Sequence, residues 1–266
     1  MKTTFSATYG RFAVSMAILS ALTILASVPT YGRKMKNPFS GKDVGTGIVF
    51  GYMHSAYRTV DWVTDDVVHK DGLDGLYVGL NHDVSLVKDD LFLETGLYYT
   101  WLNENRREDM LGLKIVGDRT EHMLSLPVRL KYVFNVSRDI DIFLYGGPTF
   151  VAGLASDLTY RTRLPDGSAA ALTYDYYKCE RYSTENLDPA VGEWFGGMLP
   201  DIGYDRFDVL AGGAVGAEFF DVLEVHVGYD WGLVNRTKGD IEYELKMRRQ
   251  QFYLSVPEVQ WTLNWN

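Results

Sequence analysis

Cysteine is almost missing from this 266-residue chain: Cys179 stands alone, so no internal disulfide can form. No CxxC, HExxH, glycine-rich phosphate loop or Ser-His-Asp spacing occurs, which removes the usual sequence signs of zinc, nucleotide and triad chemistry. Beyond the N-terminus there is no window of about 18 uninterrupted apolar residues, and a helical membrane protein is thereby excluded. Positive charge is also scarce. Lys and Arg number 26 against 35 Asp and Glu, a formal charge of -9 that argues against nucleic acid as a partner. What is plentiful is glycine, at 26, together with 18 Tyr, 13 Phe and 6 Trp, a composition that leans toward β architecture in a single sizeable domain.

Residues 1–32 differ from the rest. Lys2 and Arg11 come without any acid, an apolar core runs from Phe12 to Ala26, and small or turn-forming residues follow. This is the pattern of a secretory signal peptide cleaved between Ala26 and Arg33, with residues 33–43 as an N-terminal lead. Its removal takes 26 basic residues to 24 against 35 acids, a charge of -11.

From residue 44 onward, apolar and small or polar residues alternate with a period of two. Eight such stretches are predicted strands: 44–52, 76–87, 91–101, 122–134, 142–154, 209–219, 223–234 and 252–265. In LEVHVGYDWGLV (223–234), Leu223, Val225, Val227, Tyr229, Trp231 and Leu233 share one face, while Glu224, His226 and Asp230 share the other. The segment 142–154 is apolar on both faces and gives no inside. Near Pro257 the phase of the last strand changes, which a β-bulge would repair.

The connections alternate long and short, with tight turns near 88–90, 135–139 and 220–222 and long segments at 58–75, 103–121, 156–207 and 235–250. An up-and-down antiparallel meander whose two ends face different compartments gives this sorting. In a soluble lipocalin-like carrier the apolar face would line a cavity; in a transmembrane barrel it meets lipid. The opposite face is crowded with Gly, Ser and Thr, as a narrow interior requires, and Tyr52, Tyr99, Trp101, Tyr132, Tyr229, Trp231, Trp261 and Trp265 lie near strand ends, where interfacial girdles belong.

LSLPVRLKYVFN (124–135) followed by IDIFLYGGPTFVAG (140–153), with its Gly147-Pro148 pair, resembles the outer-membrane β-barrel domain family common in Bacteroidota. The resemblance implies an all-β, eight-stranded antiparallel up-and-down transmembrane barrel of the small OmpA/OmpX type over residues 44–266, without a shared catalytic set. It also implies residence in a Gram-negative outer membrane, in contact with its lipid and lipopolysaccharide. The terminal Trp265-Asn266 departs from the usual final aromatic.

The predicted lumen carries Asp83, Glu94, Glu218, Glu224, Asp230 and Glu258 against Arg129 and Lys131, with His226 among them. Eight strands leave an interior that side chains fill, and buried charges must pair, so a plugging network is expected. A narrow cation-preferring pore is the alternative, since acids outnumber bases. In the long segment 156–207, Tyr174, Tyr176, Tyr177, Tyr182, Trp194 and Phe195 are expected to form a binding surface for an extracellular ligand or protein. The expectations are thus a monomer with a structural, adhesive or binding role, no cofactor, no metal and no catalytic residues. A lipid-modifying enzyme, for which only His54-Ser55 and His226 with Glu224 offer candidates, is the further alternative.

Overall fold

The computed structural model describes residues 44–61, 67–87, 90–110, 113–137, 139–163, 167, 169–183, 202–219, 223–238 and 245–261. Eight long strands carry the architecture: β1 (Val44–Asp61), β2 (Val67–Val87), β3 (Leu91–Met110), β4 (Leu113–Asn135), β5 (Ile140–Arg163), β9 (Phe207–Phe219), β10 (Leu223–Gly232) and β12 (Leu245–Trp261). Each pairs antiparallel with the next, and β12 returns to pair with β1, so the sheet closes on itself. This is an eight-stranded antiparallel up-and-down transmembrane barrel, and closure leaves no long edge exposed.

Period-two alternation decides which face meets lipid. Leu80, Leu97, Leu130, Leu144, Val215 and Phe252 point outward and are 43 to 55% exposed, whereas Asn81, Ser125, Lys131, Glu224 and Gln251 on the alternate positions are at most 4% exposed. Burying polar groups while exposing leucine is the reverse of a water-soluble barrel. Tyr99, Trp101, Tyr132, Tyr229 and Trp231 stand on the outward face, Tyr52 is half-buried there, and the side chains of Trp261 and Trp265 lie outside the described residues. Segment 142–154 now has an inside: Phe143, Tyr145, Thr149 and Val151 fill the interior, with Ile142, Leu144 and Phe150 outside. The ambiguity arose because inward aromatics pack the narrow lumen as fully as polar groups do.

The expected bulge is present. Ile48 pairs with Val259 and Phe50 with Val256, so Val49 of β1 stands opposite two residues of β12, Pro257 and Glu258. The same extra residue appears against β10, where Glu224 faces Glu258 and His226 faces Ser255. One inserted residue restores a single inward face on both sides of the proline.

Long segments predicted as loops prove to be mostly strand. β1 and β2 continue pairing from Tyr52 and Leu76 out to Val60 and Val67, and β3 and β4 pair from Trp101 and His122 out to Met110 and Leu113. Above the apolar band, ladder hydrogen bonds extend into sequence such as NENRRED, where no lipid selects for alternation. The segment 156–207 likewise begins as a continuation of β5, to which β6 (Ala169–Asp175) and then β7 (Glu180–Ser183) are added. A short pair, β8 (Gly203–Tyr204) with β11 (Thr237–Lys238), completes the described elements. The barrel wall is therefore tall along β1 to β5 and lower at β9 and β10.

Candidate functional site: the charged lumen and its cap

Two tiers of charge fill the interior. In the tier nearer the short turns, Lys131 Nζ donates to Asp83 Oδ2 at 3.1 Å and to Glu224 Oε1, and lies 4.4 Å from the Phe143 ring centre. Arg129 donates from Nη2 to Asp230 Oδ2 at 2.8 Å and to Thr149 Oγ1 at 3.0 Å, while Nη1 stands 3.9 Å from Glu94. The guanidinium plane is flanked by Tyr145 and Tyr253, at 4.8 and 5.2 Å. Planar stacking and forked donors suit arginine to such a site better than lysine.

Of the residues expected in the lumen, Asp83, Glu94, Arg129, Lys131, Glu218, Glu224, His226 and Asp230 are all buried. Glu218 sits opposite both Asp141 and Glu224 in the ladder. His226 lies among the rings of Phe143, Tyr145 and Tyr253, 5.3 to 6.3 Å away. Glu258 falls at the bulge, and its side chain lies outside the described residues. A cavity of about 20 Å³, lined by Thr100, Ser125, Arg129, Asp230, His226 and Gln251 among others, has room for one water molecule.

The second tier, nearer the long hairpins, was not foreseen. Glu121 is its centre: Oε1 accepts from Arg249 Nη2 at 2.6 Å and from the Tyr177 hydroxyl at 3.0 Å, lies 3.6 Å from Arg236, and Oε2 accepts from the Tyr57 hydroxyl. Asp208 lies 3.7 and 3.8 Å from the Nε atoms of Arg236 and Arg249. Arg119 lies 4.8 Å from both the Tyr57 and the Tyr176 rings, and Tyr176 stacks on Tyr204 at 4.4 Å. Sequence did contain a signal for this tier. Counting back by twos from Arg129 on β4 reaches Glu121 and Arg119, and counting back from Tyr253 on β12 reaches Arg249.

The aromatic binding surface expected in 156–207 is corrected here. Tyr174, Tyr176 and Tyr177 are 2 to 4% exposed, because β6 and the turn after it fold inward over the second tier. Tyr204 donates its N–H to the Tyr176 carbonyl, and Lys238 Nζ to that of Tyr177, so these segments cap the interior. Only Tyr182 of the described set is exposed, at 43%. Trp194 and Phe195 lie outside the described residues. Cys179, at φ 58, ends the turn.

On the barrel exterior, just beyond Tyr52, His54 Nδ1 and the Tyr52 hydroxyl both bond Asp74 Oδ1, the histidine at 2.7 Å. Among the described residues no group of three His, Cys, Asp or Glu is arranged to hold a metal.

No protein-family model and no curated sequence matches the chain. The architecture is similar to that of outer-membrane barrels. Ail of Yersinia pestis, solved with the heparin analogue sucrose octasulfate, is 8% identical with a TM-score of 0.38, covering 82% of this chain and 99% of its own. Neisserial surface protein A is 10% identical with a TM-score of 0.36, over 82% and 99%. The Escherichia coli outer membrane protease OmpT is 12% identical with a TM-score of 0.42, over 88% and 100%. At these scores the architecture rests on the strand pairing itself. One expectation is corrected: missing sequence motifs led to a non-enzymatic reading, but a site assembled in space leaves no linear motif, so that reading does not stand; OmpT, among the similar barrels, is a protease.

Proposed function

We propose that the chain is exported to a Gram-negative outer membrane, that charged side chains plug its lumen, and that its extracellular end performs a structural, adhesive or binding role. The observation carrying this reading is the cross-lumen bonding of Arg129 and Arg249 to carboxylates on facing strands, Asp230 and Glu121, which ties opposite walls together through the centre. An eight-stranded interior has little volume beyond such side chains. The Bacteroidota-type resemblance, the signal peptide at 1–32 and a monomeric state in contact with lipopolysaccharide belong to the same reading.

Planar-bilayer recording on protein shown to be folded by heat-modifiable gel mobility tests it. A plugged barrel is silent, and shortening residues 184–200 abolishes partner binding without loss of the fold; steady current through the unaltered protein would overturn the plug. A narrow cation-preferring pore is the second reading, favoured by the first tier, where among the described residues the buried acids Asp83, Asp141, Glu94, Glu218, Glu224 and Asp230 outnumber the buried cations Arg129 and Lys131. Cation selectivity in any current would identify it.

A further inference from the structure

Charge on the outside of the tall wall is distributed unevenly. On the β3 to β5 part of this wall the exposed Arg161 has an acidic partner in Asp118. The β12-β1-β2 side differs. Arg58 pairs in register with Arg248 on one side and with Lys70 on the other, and Lys246 occupies the neighbouring same-face rung, opposite Val60. Together with the rung Gln250, Ala56 and Gly72, and with Val67 opposite Val60, these three rungs hold nine residues, of which four are basic and none acidic.

Arg58 and Arg248 are exposed, and among the described residues neither side chain takes part in an ion pair or a hydrogen bond. Like charges directly opposite each other destabilise a sheet. Among the described residues no acid stands on these three rungs. The nearest acid below them on this face, Asp74, is already engaged by His54 and Tyr52.

Position narrows the partner. Arg58 lies six residues beyond Tyr52 along β1, which at about 3.3 Å per residue and roughly 45° of tilt raises it about 14 Å above the apolar band. That height exceeds the headgroup depth of a simple phospholipid, taken as about 5–8 Å from the bilayer dimensions. It matches the saccharide layer of a larger lipid.

We propose that the facing pair Arg248 and Arg58, with Lys246 beside it, is a docking surface for the phosphorylated saccharide headgroup of an outer-leaflet glycolipid. Guanidinium forks bind phosphate oxygens in pairs, and the adjoining lipid-facing wall receives the acyl chains. The inference rests on the outer-membrane reading, which heat-modifiable mobility and cell fractionation test separately from headgroup binding.

The test is retention of fluorescent rough-type lipopolysaccharide by immobilised, folded full-length protein in detergent. Arg58→Gln with Arg248→Gln should lower affinity about tenfold or more, by loss of charge-assisted bonds. Arg161→Gln should leave it unchanged, and Arg58→Lys with Arg248→Lys should retain most of it. Single variants serve if the double variant does not fold. Equal retention by the Gln variants and the unaltered protein would overturn the proposal, as would equal binding of dephosphorylated lipopolysaccharide. Equal affinity for the deacylated phosphorylated oligosaccharide would also overturn it, because the surface would then recognise a free saccharide rather than a membrane lipid.

Discussion

Glu121 on β4 and Arg249 on β12 meet at 2.6 Å across the barrel, both fully buried, and the Tyr177 hydroxyl of the cap donates to the same carboxylate oxygen. One carboxylate thereby couples two walls and the inward-folded segment. Glu121→Gln keeps the shape but leaves the more distant Asp208 as the one carboxylate near Arg236 and Arg249 among the described residues. Breaking a buried ion pair from one side costs about 3–5 kcal/mol. The variant should unfold at markedly lower urea concentration in a heat-modifiability assay; a midpoint shift no larger than that of an exposed control such as Arg161→Gln would refute the coupling.

Arg129→Ala removes the cation that Asp230 and Glu94 share and opens space between Tyr145 and Tyr253. Two uncompensated carboxylates then draw water and cations inward. Small cation-selective openings in bilayer recordings are expected from this variant, whereas replacing both Arg129 and Asp230 by apolar residues of similar size should keep the lumen silent. Silence of Arg129→Ala in folded protein would mean that the second tier alone seals the barrel.

Gly153 faces inward on β5 where the cap rests. A Cβ there would run into the Tyr177 hydroxyl and ring, while Gly153 N–H donates to Arg206 O at 2.6 Å. Gly153→Ala therefore pushes Tyr177 off Glu121, with an overpacking cost of about 1–3 kcal/mol. The expected result is faster hydrogen exchange at the Tyr176 and Tyr204 amides without loss of the barrel. Tyr177→Phe, which deletes the nearest atom, should relieve part of that strain when combined with Gly153→Ala; strictly additive effects would argue against the contact.

How far the sequence discloses this molecule depends on what selects each residue. Inside the apolar band, lipid on one side and a narrow lumen on the other force alternation, so the eight strands, the bulge at Pro257 and the burial of residues such as Arg129 and Glu224 are readable. Above the band neither constraint acts from outside. The hairpins beyond Tyr52 and Trp101 then look like loops, and Glu121, Asp208, Arg236 and Arg249 go unnoticed although Glu121, Asp208 and Arg249 continue the phase of their strands. Tyr174 and Tyr176 mislead for a related reason: a tyrosine-rich run has the same composition whether it binds a partner or packs under a cap.

Asp157 on β5 and Asp175 on β6 stand directly opposite each other in the ladder. Burial, and then Asp175, raise the Asp157 carboxyl above its ordinary range. Burial acts on Asp175 in the same sense, but the Lys178 ammonium and the backbone N–H groups of Lys178 and Tyr177 outweigh it and hold that carboxyl below its ordinary range. The two acids therefore respond to pH with opposite sign. For Asp157 the ionised form is the unfavourable one, so its cost is lifted as pH falls through its raised folded-state value. Asp175 contributes stability above the ordinary aspartate range, and that stability is lost as pH falls further, through its lowered value. Acidification from neutrality should first tighten the hairpin and then loosen it. Hydrogen exchange at the Tyr177 and Lys178 amides, normalised to intrinsic rates at each pH, reports both phases. Asp157→Asn should abolish the tightening and keep the loosening, and Asp175→Asn should do the reverse; steady loosening in the unaltered protein would show that the facing carboxylates do not repel.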